Sequence, residues 1–305
     1  MIRIEKYGAI DIGSNAVRLL INTVVEEEGK DPRFKKVSLV RVPIRLGGDV
    51  FVTGKVSDEN ISRMIDTMQA YQLLMKTHKI VAYRACATSA MREAKNGPEI
   101  VTAVLNKTGV KIQIIDGKDE AAIIASTDLK ELINQNATYL YVDVGGGSTE
   151  FTLYHNGEAK ASRSFKLGTV RLLNELVPDT TWLEAQRWIE ENTRHYERIS
   201  LIGSGGNINT IFKYSNKGVG KPLSYFYLSS YYQMLNTFTY EERIWELNMN
   251  ADRADVIIPA TKIYLSAMKW SRARRIFVPK IGLSDGIIKS LFSERQRQRE
   301  EHTTK

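Results

Sequence analysis

Ala9-Ile10-Asp11-Ile12-Gly13-Ser14-Asn15 and Tyr141-Val142-Asp143-Val144-Gly145-Gly146-Gly147-Ser148-Thr149 follow one design. Each is a short apolar run broken by an aspartate and closed by a turn of glycine and small hydroxyl or amide side chains. The two aspartates lie 132 positions apart, once in each half of the chain. A turn without bulky side chains lets backbone N–H groups close around an anion, and hydroxyls add donors. An aspartate at the strand end is placed to hold a divalent cation, directly or through water. Two such turns at duplicated positions suggest a phosphate chain gripped from both sides of a cleft.

After each turn the apolar residues alternate, Val17, Leu19 and Ile21 in one case and Phe151 and Leu153 in the other. A period of two predicts a returning strand, and Asn156-Gly157 is a hairpin turn signal. A P-loop or Rossmann turn would run into a helix instead, and the G-x-x-x-x-G-K-[ST] pattern is absent. Paired hairpins facing across a cleft are the arrangement of actin, the sugar kinases and the heat-shock chaperone ATPases. The expected fold is therefore α/β, with two actin-like, ribonuclease H-like domains and an active-site cleft between them. Fold alone licenses no chemistry.

The chain of 305 residues suits two domains. Hydrophobic content of 43% and charged content of 26% are ordinary for a globular protein. No apolar run reaches the roughly 18–20 residues that cross a membrane, and the N-terminus lacks a signal-peptide core. The single cysteine, Cys86, excludes an internal disulfide and a thiolate metal site; it reads as packing in a buried strand. The cytoplasm is the expected compartment. The net charge of +8 is spread evenly, with 19 basic and 15 acidic residues in 1–123 and 24 and 20 in the rest. That evenness argues against a nucleic-acid arm and is compatible with a cleft that attracts a polyanion.

Strands are expected near 3–12, 17–25, 34–43, 80–87 and 110–115, with a loop at Leu46-Gly47-Gly48-Asp49. Helices follow the Ser57-Asp58-Glu59 cap and cover 98–107. Asp116-Gly117-Lys118-Asp119-Glu120 opens a helix from Ala121 to about Asn134, which places the boundary in 116–124 and gives domains 1–123 and 124–305. The second half repeats the theme, with strands 138–144, 150–155, 159–166 and 199–203 and helices near 169–177, 181–196, 229–236, 240–247 and 254–271. Strand 275–279 and a last helix from about Asp285 end the chain; that helix has the option of packing back on the first domain. Its tail, Glu294 to His302, reads as a solvated, fraying end.

Ile10-Asp11-Ile12-Gly13-Ser14-Asn15, Ala87-Thr88-Ser89-Ala90-Met91-Arg92-Glu93-Ala94, Asp119-Glu120-Ala121 and Asp143-Val144-Gly145-Gly146-Gly147-Ser148-Thr149-Glu150 come in the order of the Ppx/GppA phosphatases, which the chain resembles from about 7 to about 290. Ser164-Phe165-Lys166-Leu167-Gly168, Gly203-Ser204-Gly205-Gly206 and Arg253-Ala254-Asp255-Val256-Ile257 are also similar. The resemblance implies an exopolyphosphatase that releases orthophosphate from inorganic polyphosphate. A guanosine pentaphosphate phosphohydrolase has the same fold and motifs. A sensor that binds polyphosphate or an alarmone without turnover is a third option, against which Glu120, Asp143 and Glu150 argue. A homodimer is compatible with all three.

Hydrolysis of a terminal phosphoanhydride is mostly positioning and charge stabilisation. It needs a carboxylate to orient water, a cation, and donors on the phosphoryl oxygens. By residue type, Glu120 could be an acid favoured by the positive end of its own helix; the resemblance makes it the catalytic glutamate and puts Arg92 near the phosphate chain. Asp119 reads as a cap or as a group that supports the site from behind. Asp143 and Glu150, supported by Asp11, are the metal candidates, and carboxylate and water ligands suit magnesium or manganese. Gly13, Ser14, Asn15, Gly145, Gly146, Gly147, Ser148 and Thr149 would cradle phosphates. Gly203, Ser204, Gly205 and Gly206 either hold a nucleoside or chain, or allow close helix–strand packing. Arg18, Arg45 and Arg171 are weaker candidates for a basic track. The four histidines fall in no metal spacing. Gly282-Leu283-Ser284-Asp285-Gly286 lacks the arginine often found in the family's Gly-Leu-Arg-Glu-Gly, so a different substrate preference is expected. The resemblance is to the short, two-domain form, for which less processive action on a long polymer is expected.

Overall fold

The structure is a computed structural model that describes residues 2–125, 127 and 137–303. The chain divides into two compact units, Met1–Thr127 with Leu283–Lys305, and Asp128–Gly282. Among the described residues no helix is long and apolar enough to cross a membrane.

The first unit is built on β1 (Ile2–Ile12), β2 (Val17–Glu27), β3 (Arg33–Val42), β4 (Ala82–Ala87) and β5 (Ile112–Ile114), in the order β3-β2-β1-β4-β5. The hairpin strands are antiparallel, while β4 lies parallel to β1 and β5 to β4. Its helices are α1 (Leu46–Thr53), α2 (Asp58–Thr77), α3 (Ser89–Glu93), α4 (Gly97–Thr108) and α5 (Gly117–Ala125). Ser57 caps α2 by accepting from Asn60 N–H. Met64, Met68, Tyr71 and Met75 recur at helical spacing and pack with Val17, Leu19 and Ile21 of the sheet. Expected elements recur here with shifted ends. Two differ in kind: α3 was not anticipated, and α1 begins where a loop was expected. The expected continuation of α5 to about Asn134 lies outside the described residues.

The second unit repeats the scheme with β6 (Thr138–Val144), β7 (Thr149–His155), β8 (Glu158–Phe165), β9 (Ile199–Ser204), β10 (Leu223–Ser224) and β11 (Arg275–Phe277). Its sheet reads β8-β7-β6-β9-β11-β10, so the first five strands match the first unit in order and direction. Asn156 and Gly157 both have positive φ, 54° and 78°, the conformation the expected hairpin turn demands. Helices α6 (Thr169–Leu173), α7 (Asp179–Thr193), α8 (Gly206–Tyr214), α9 (Tyr225–Thr237), α10 (Tyr240–Trp245), α11 (Ala251–Ala254) and α12 (Ile257–Trp270) complete it. Ile257, Ala260, Ile263, Tyr264 and Ala267 of α12 join Leu140, Val142 and Phe151 in one core. The single helix expected over 254–271 is thus two.

The final helix, α13 (Leu283–Thr303), belongs to the first unit. Gly286 crosses the backbone of Ile123 in α5 so closely that a Cβ there would fall 2.1 Å from the Ile123 carbonyl oxygen. Phe292 meets Tyr7 and Phe34 edge-on. The tail does not fray into solvent as the sequence suggested. Glu294 pairs with Arg84 at 2.6 Å, Gln296 donates to Glu26 at 2.9 Å, and Arg299 pairs with Glu5 and Glu26. Glu294, Gln296 and Arg299 are thus matched to side chains on β1, β2 and β4, while Arg297, Gln298, Glu300 and Glu301 are exposed.

Candidate functional site

In the first unit the small-residue turn joins β1 to β2. Gly13 N–H donates to the Ala16 carbonyl at 3.1 Å. The Ser14 carbonyl accepts from Gly47 N–H at 2.8 Å and the Asn15 carbonyl from Arg45 N–H at 3.1 Å. These donors belong to the entry of α1, which explains the helix where a loop was expected. Gly47 is there for close approach: a Cβ would lie 3.0 Å from that of Ser14 and 2.7 Å from the Phe51 ring. Asp11 stands opposite Arg18 on β2, and the two form an ion pair at 3.1 Å. Burial nonetheless pushes the Asp11 carboxyl above the ordinary carboxylate range, against the pull of Arg18.

The second turn, between β6 and β7, has the same internal bond, from Gly145 N–H to the Ser148 carbonyl at 2.9 Å. Here every glycine carbonyl is held from one side. Thr169 N–H donates to Gly145 O at 3.0 Å, Val170 N–H to Gly146 O at 2.8 Å, and Arg171 Nε to Gly147 O at 2.8 Å. Gly168 presses against the turn, and a Cβ on it would fall 2.3 Å from Gly146 O. Among the described residues, the N–H groups of Gly146, Gly147 and Ser148 have no recorded acceptor.

Asp143 and Glu150 flank this turn and face each other across the β6–β7 ladder. Glu150 is buried, and its Oε1 accepts from Ser148 Oγ at 2.6 Å and Ser164 Oγ at 2.8 Å. Asp143 Oδ2 lies 3.1 Å from Ser204 Oγ, which is also 2.9 Å from the Ile281 carbonyl. The first unit has Arg18 where the second has Glu150, by the matching registers Asp11–Arg18 and Asp143–Glu150. The duplicated scaffold therefore carries opposite charges at one position. Thr149 is fully buried and its hydroxyl donates to the Leu167 carbonyl, so its proton is committed to the fold rather than to a ligand.

The Gly203–Gly206 segment has packing reasons for its glycines. A Cβ would fall 2.7 Å from Ile276 at Gly203, and 3.0 Å from the Val144 carbonyl at Gly205, where φ is 111°. At Gly206 it would fall 2.5 Å from the Arg253 guanidinium, which bonds Asn207 at 2.8 Å. Tyr264 OH donates to the Ser204 carbonyl. This segment buttresses the Asp143 end of the turn.

Glu120 lies in the first turn of α5, in the first unit. The cap of that helix is Asp116, not Asp119 as expected: Asp116 Oδ1 accepts from the N–H groups of Lys118 and Asp119, both at 2.8 Å. Those bonds hold the Asp116 carboxyl below its ordinary range. Arg92, from α3, donates to the Ile115 carbonyl at 2.8 Å, next to that cap. Burial raises the Cys86 thiol to about 11, against the pull of Arg84. The high value agrees with a packing role for Cys86.

Sequence reasoning missed Ser164 and misread Arg171. Ser164 faces Glu150 across β7 and β8, a pairing legible once the strands are aligned. Arg171 is not on an exposed basic track; it is buried under the second turn. Among the described residues, no three His, Cys, Asp or Glu side chains gather as a metal cage. The donor set around the second turn is oxygen only, which fits a hard cation that keeps water and phosphate oxygens as most of its ligands.

This duplicated frame has counterparts among known proteins. A structure described as an exopolyphosphatase from Cytophaga hutchinsonii superposes with a TM-score of 0.81, at 21% identity, over 95% of this chain and 98% of that one; the likeness shows the fold. By sequence, the chain is 30% identical over 236 residues to a bifunctional 3-dehydroquinate synthase/phosphatase of Fusobacterium nucleatum, covering 68% of this chain and 34% of that protein. It is 29% identical over 174 residues to exopolyphosphatase 1 of Mycobacterium tuberculosis, covering 57% and 49%. The chain thus spans half or less of the length of these curated relatives. Residues 23–295 match the Ppx/GppA phosphatase family, and the chain belongs to that family.

Proposed function

We propose that the protein is an exopolyphosphatase that releases orthophosphate from the end of inorganic polyphosphate. The observation that carries this is the second turn, where three glycine carbonyls are held on one side between Asp143 and Glu150. Such a turn offers consecutive N–H donors to phosphoryl oxygens without reorganisation when charge develops on them. Gly13, Ser14 and Asn15 would serve the same chain from the first unit, and Arg92 would neutralise part of its charge.

Water attacks the terminal phosphorus, the bond from phosphorus to the bridging oxygen breaks, and the shortened chain leaves with that oxygen. Glu120 would hold and orient the water, accepting a hydrogen bond from it rather than abstracting a full proton, and the water's protons leave with the orthophosphate released. The positive end of α5 favours an ionised Glu120, which holds water ready for attack. Asp143 and Glu150 would hold magnesium or manganese, which supplies charge neutralisation on the phosphate oxygens when bound. Ser148 and Ser164 fix the Glu150 carboxylate, and Ser204 the Asp143 carboxylate. Asp11 is ion-paired with Arg18 and would act as support. We place this activity in the cytoplasm.

Glu120→Gln tests the role of the carboxylate. It should reduce orthophosphate release by at least about a hundredfold and leave polyphosphate binding largely intact. Near-normal turnover by the folded variant would remove Glu120 from the chemistry.

A further inference from the structure

We propose that Arg171 is a positioning residue that aims the Ser148 amide at the bound phosphate; this rests on the second turn being the phosphate cradle. In a trans peptide the carbonyl of one residue and the N–H of the next point in opposite directions, and the plane is stiff. Fixing a carbonyl therefore fixes the next N–H. Thr169 N–H on Gly145 O sets the direction of Gly146 N–H, and Val170 N–H on Gly146 O sets that of Gly147 N–H. Both donors are backbone groups of α6, and any sequence that folds there supplies them.

The third plane differs. Gly147 O is held by the Nε of a side chain, Arg171, at 2.8 Å, and this bond sets the direction of Ser148 N–H. All three carbonyls are pulled toward α6, so all three N–H groups point away from it. A third backbone donor does not take over, because Arg171 N–H leans on Gly146 O at 3.4 Å. Arg171 as a whole is 8% exposed, and Gly168, which has no room for a Cβ, packs against the same turn. In the first unit the equivalent turn is held by backbone N–H donors from Gly47 and Arg45. The second turn thus depends on one side chain for one of its three donors. Ser148 is also the residue whose hydroxyl bonds Glu150, so the same plane links the phosphate donors to a proposed metal carboxylate.

The experiment follows Gly146, Gly147 and Ser148 amide signals in protein labelled with 15N glycine and serine, titrated with tripolyphosphate and magnesium. In the parent chain all three should shift. In Arg171→Met the ratio of the Ser148 shift to the Gly146 shift should fall at least threefold, while Gly146 and Gly147 keep their response. A proportional loss at all three amides, or an unchanged ratio, would overturn the assignment. Should the methionine variant not fold, Arg171→Lys decides: a ratio below the parent's supports the assignment and a ratio equal to it overturns it. No shift at any of the three amides in the parent chain refutes the cradle itself, and this assignment with it.

Discussion

Thr149→Val separates what the second turn does for the fold from what it does for a ligand. Thr149 is fully buried, and its hydroxyl proton goes to the Leu167 carbonyl. Valine has nearly the same shape but no donor, and no other donor to that carbonyl is recorded among the described residues. Leaving a buried carbonyl unsatisfied costs about 1–3 kcal/mol. Of a total stability of roughly 5–15 kcal/mol that is a large share. For a domain of this size each kcal/mol moves the midpoint by about 2–4 °C, so a loss near 2 kcal/mol should lower Tm by about 4–8 °C. The Kd for tripolyphosphate, measured by calorimetry with magnesium, should stay within about twofold because the hydroxyl never faces the ligand. An unchanged Tm together with affinity weakened about tenfold would refute this reasoning and return Thr149 to the set of phosphate donors.

Asp143→Asn should raise the magnesium concentration for half-maximal activity by about tenfold or more, as loss of a carboxylate near a metal does; an unchanged metal titration removes Asp143 from the metal site. Asp49 is partly buried, which alone would raise its pKa, but donors from Ser57 and Asn60 outweigh that and hold it below the ordinary carboxylate range. Its contribution to stability is therefore present above the unfolded-state value and lost as pH falls through the lower, folded value. Urea midpoints at pH 7 and pH 3 should differ less in Asp49→Asn than in the parent, and an equal difference would contradict the assignment.

The turns were legible because they are local: a strand-end aspartate followed by residues too small to do anything but expose backbone has few structural alternatives. The alternation after each turn then fixed the hairpins, and repetition in the second half fixed the topology. What escaped was set by contacts far along the chain. Leu46-Gly47-Gly48 looks like a loop until Gly47 is seen packing against Ser14, because nothing in the segment itself records that approach. Arg171 was a candidate for a basic track, and its burial was not legible because residue type carries none. The charged tail looked solvated because its partners, Glu5, Glu26 and Arg84, lie some 200 or more positions earlier. By residue type Asp119 reads as a cap or a group behind the site, whereas the start of α5 at Gly117 makes Asp116 the cap.

Hydrolysis of the terminal phosphoanhydride of polyphosphate is read most directly as released orthophosphate. Orthophosphate release should be measured with magnesium on long polyphosphate, tripolyphosphate and guanosine pentaphosphate side by side, with Glu120→Gln as the control. The account predicts Glu120-dependent release with the highest kcat/KM on inorganic polyphosphate. A higher kcat/KM on guanosine pentaphosphate would make the protein an alarmone phosphohydrolase, and binding of all three without release would contradict the account outright.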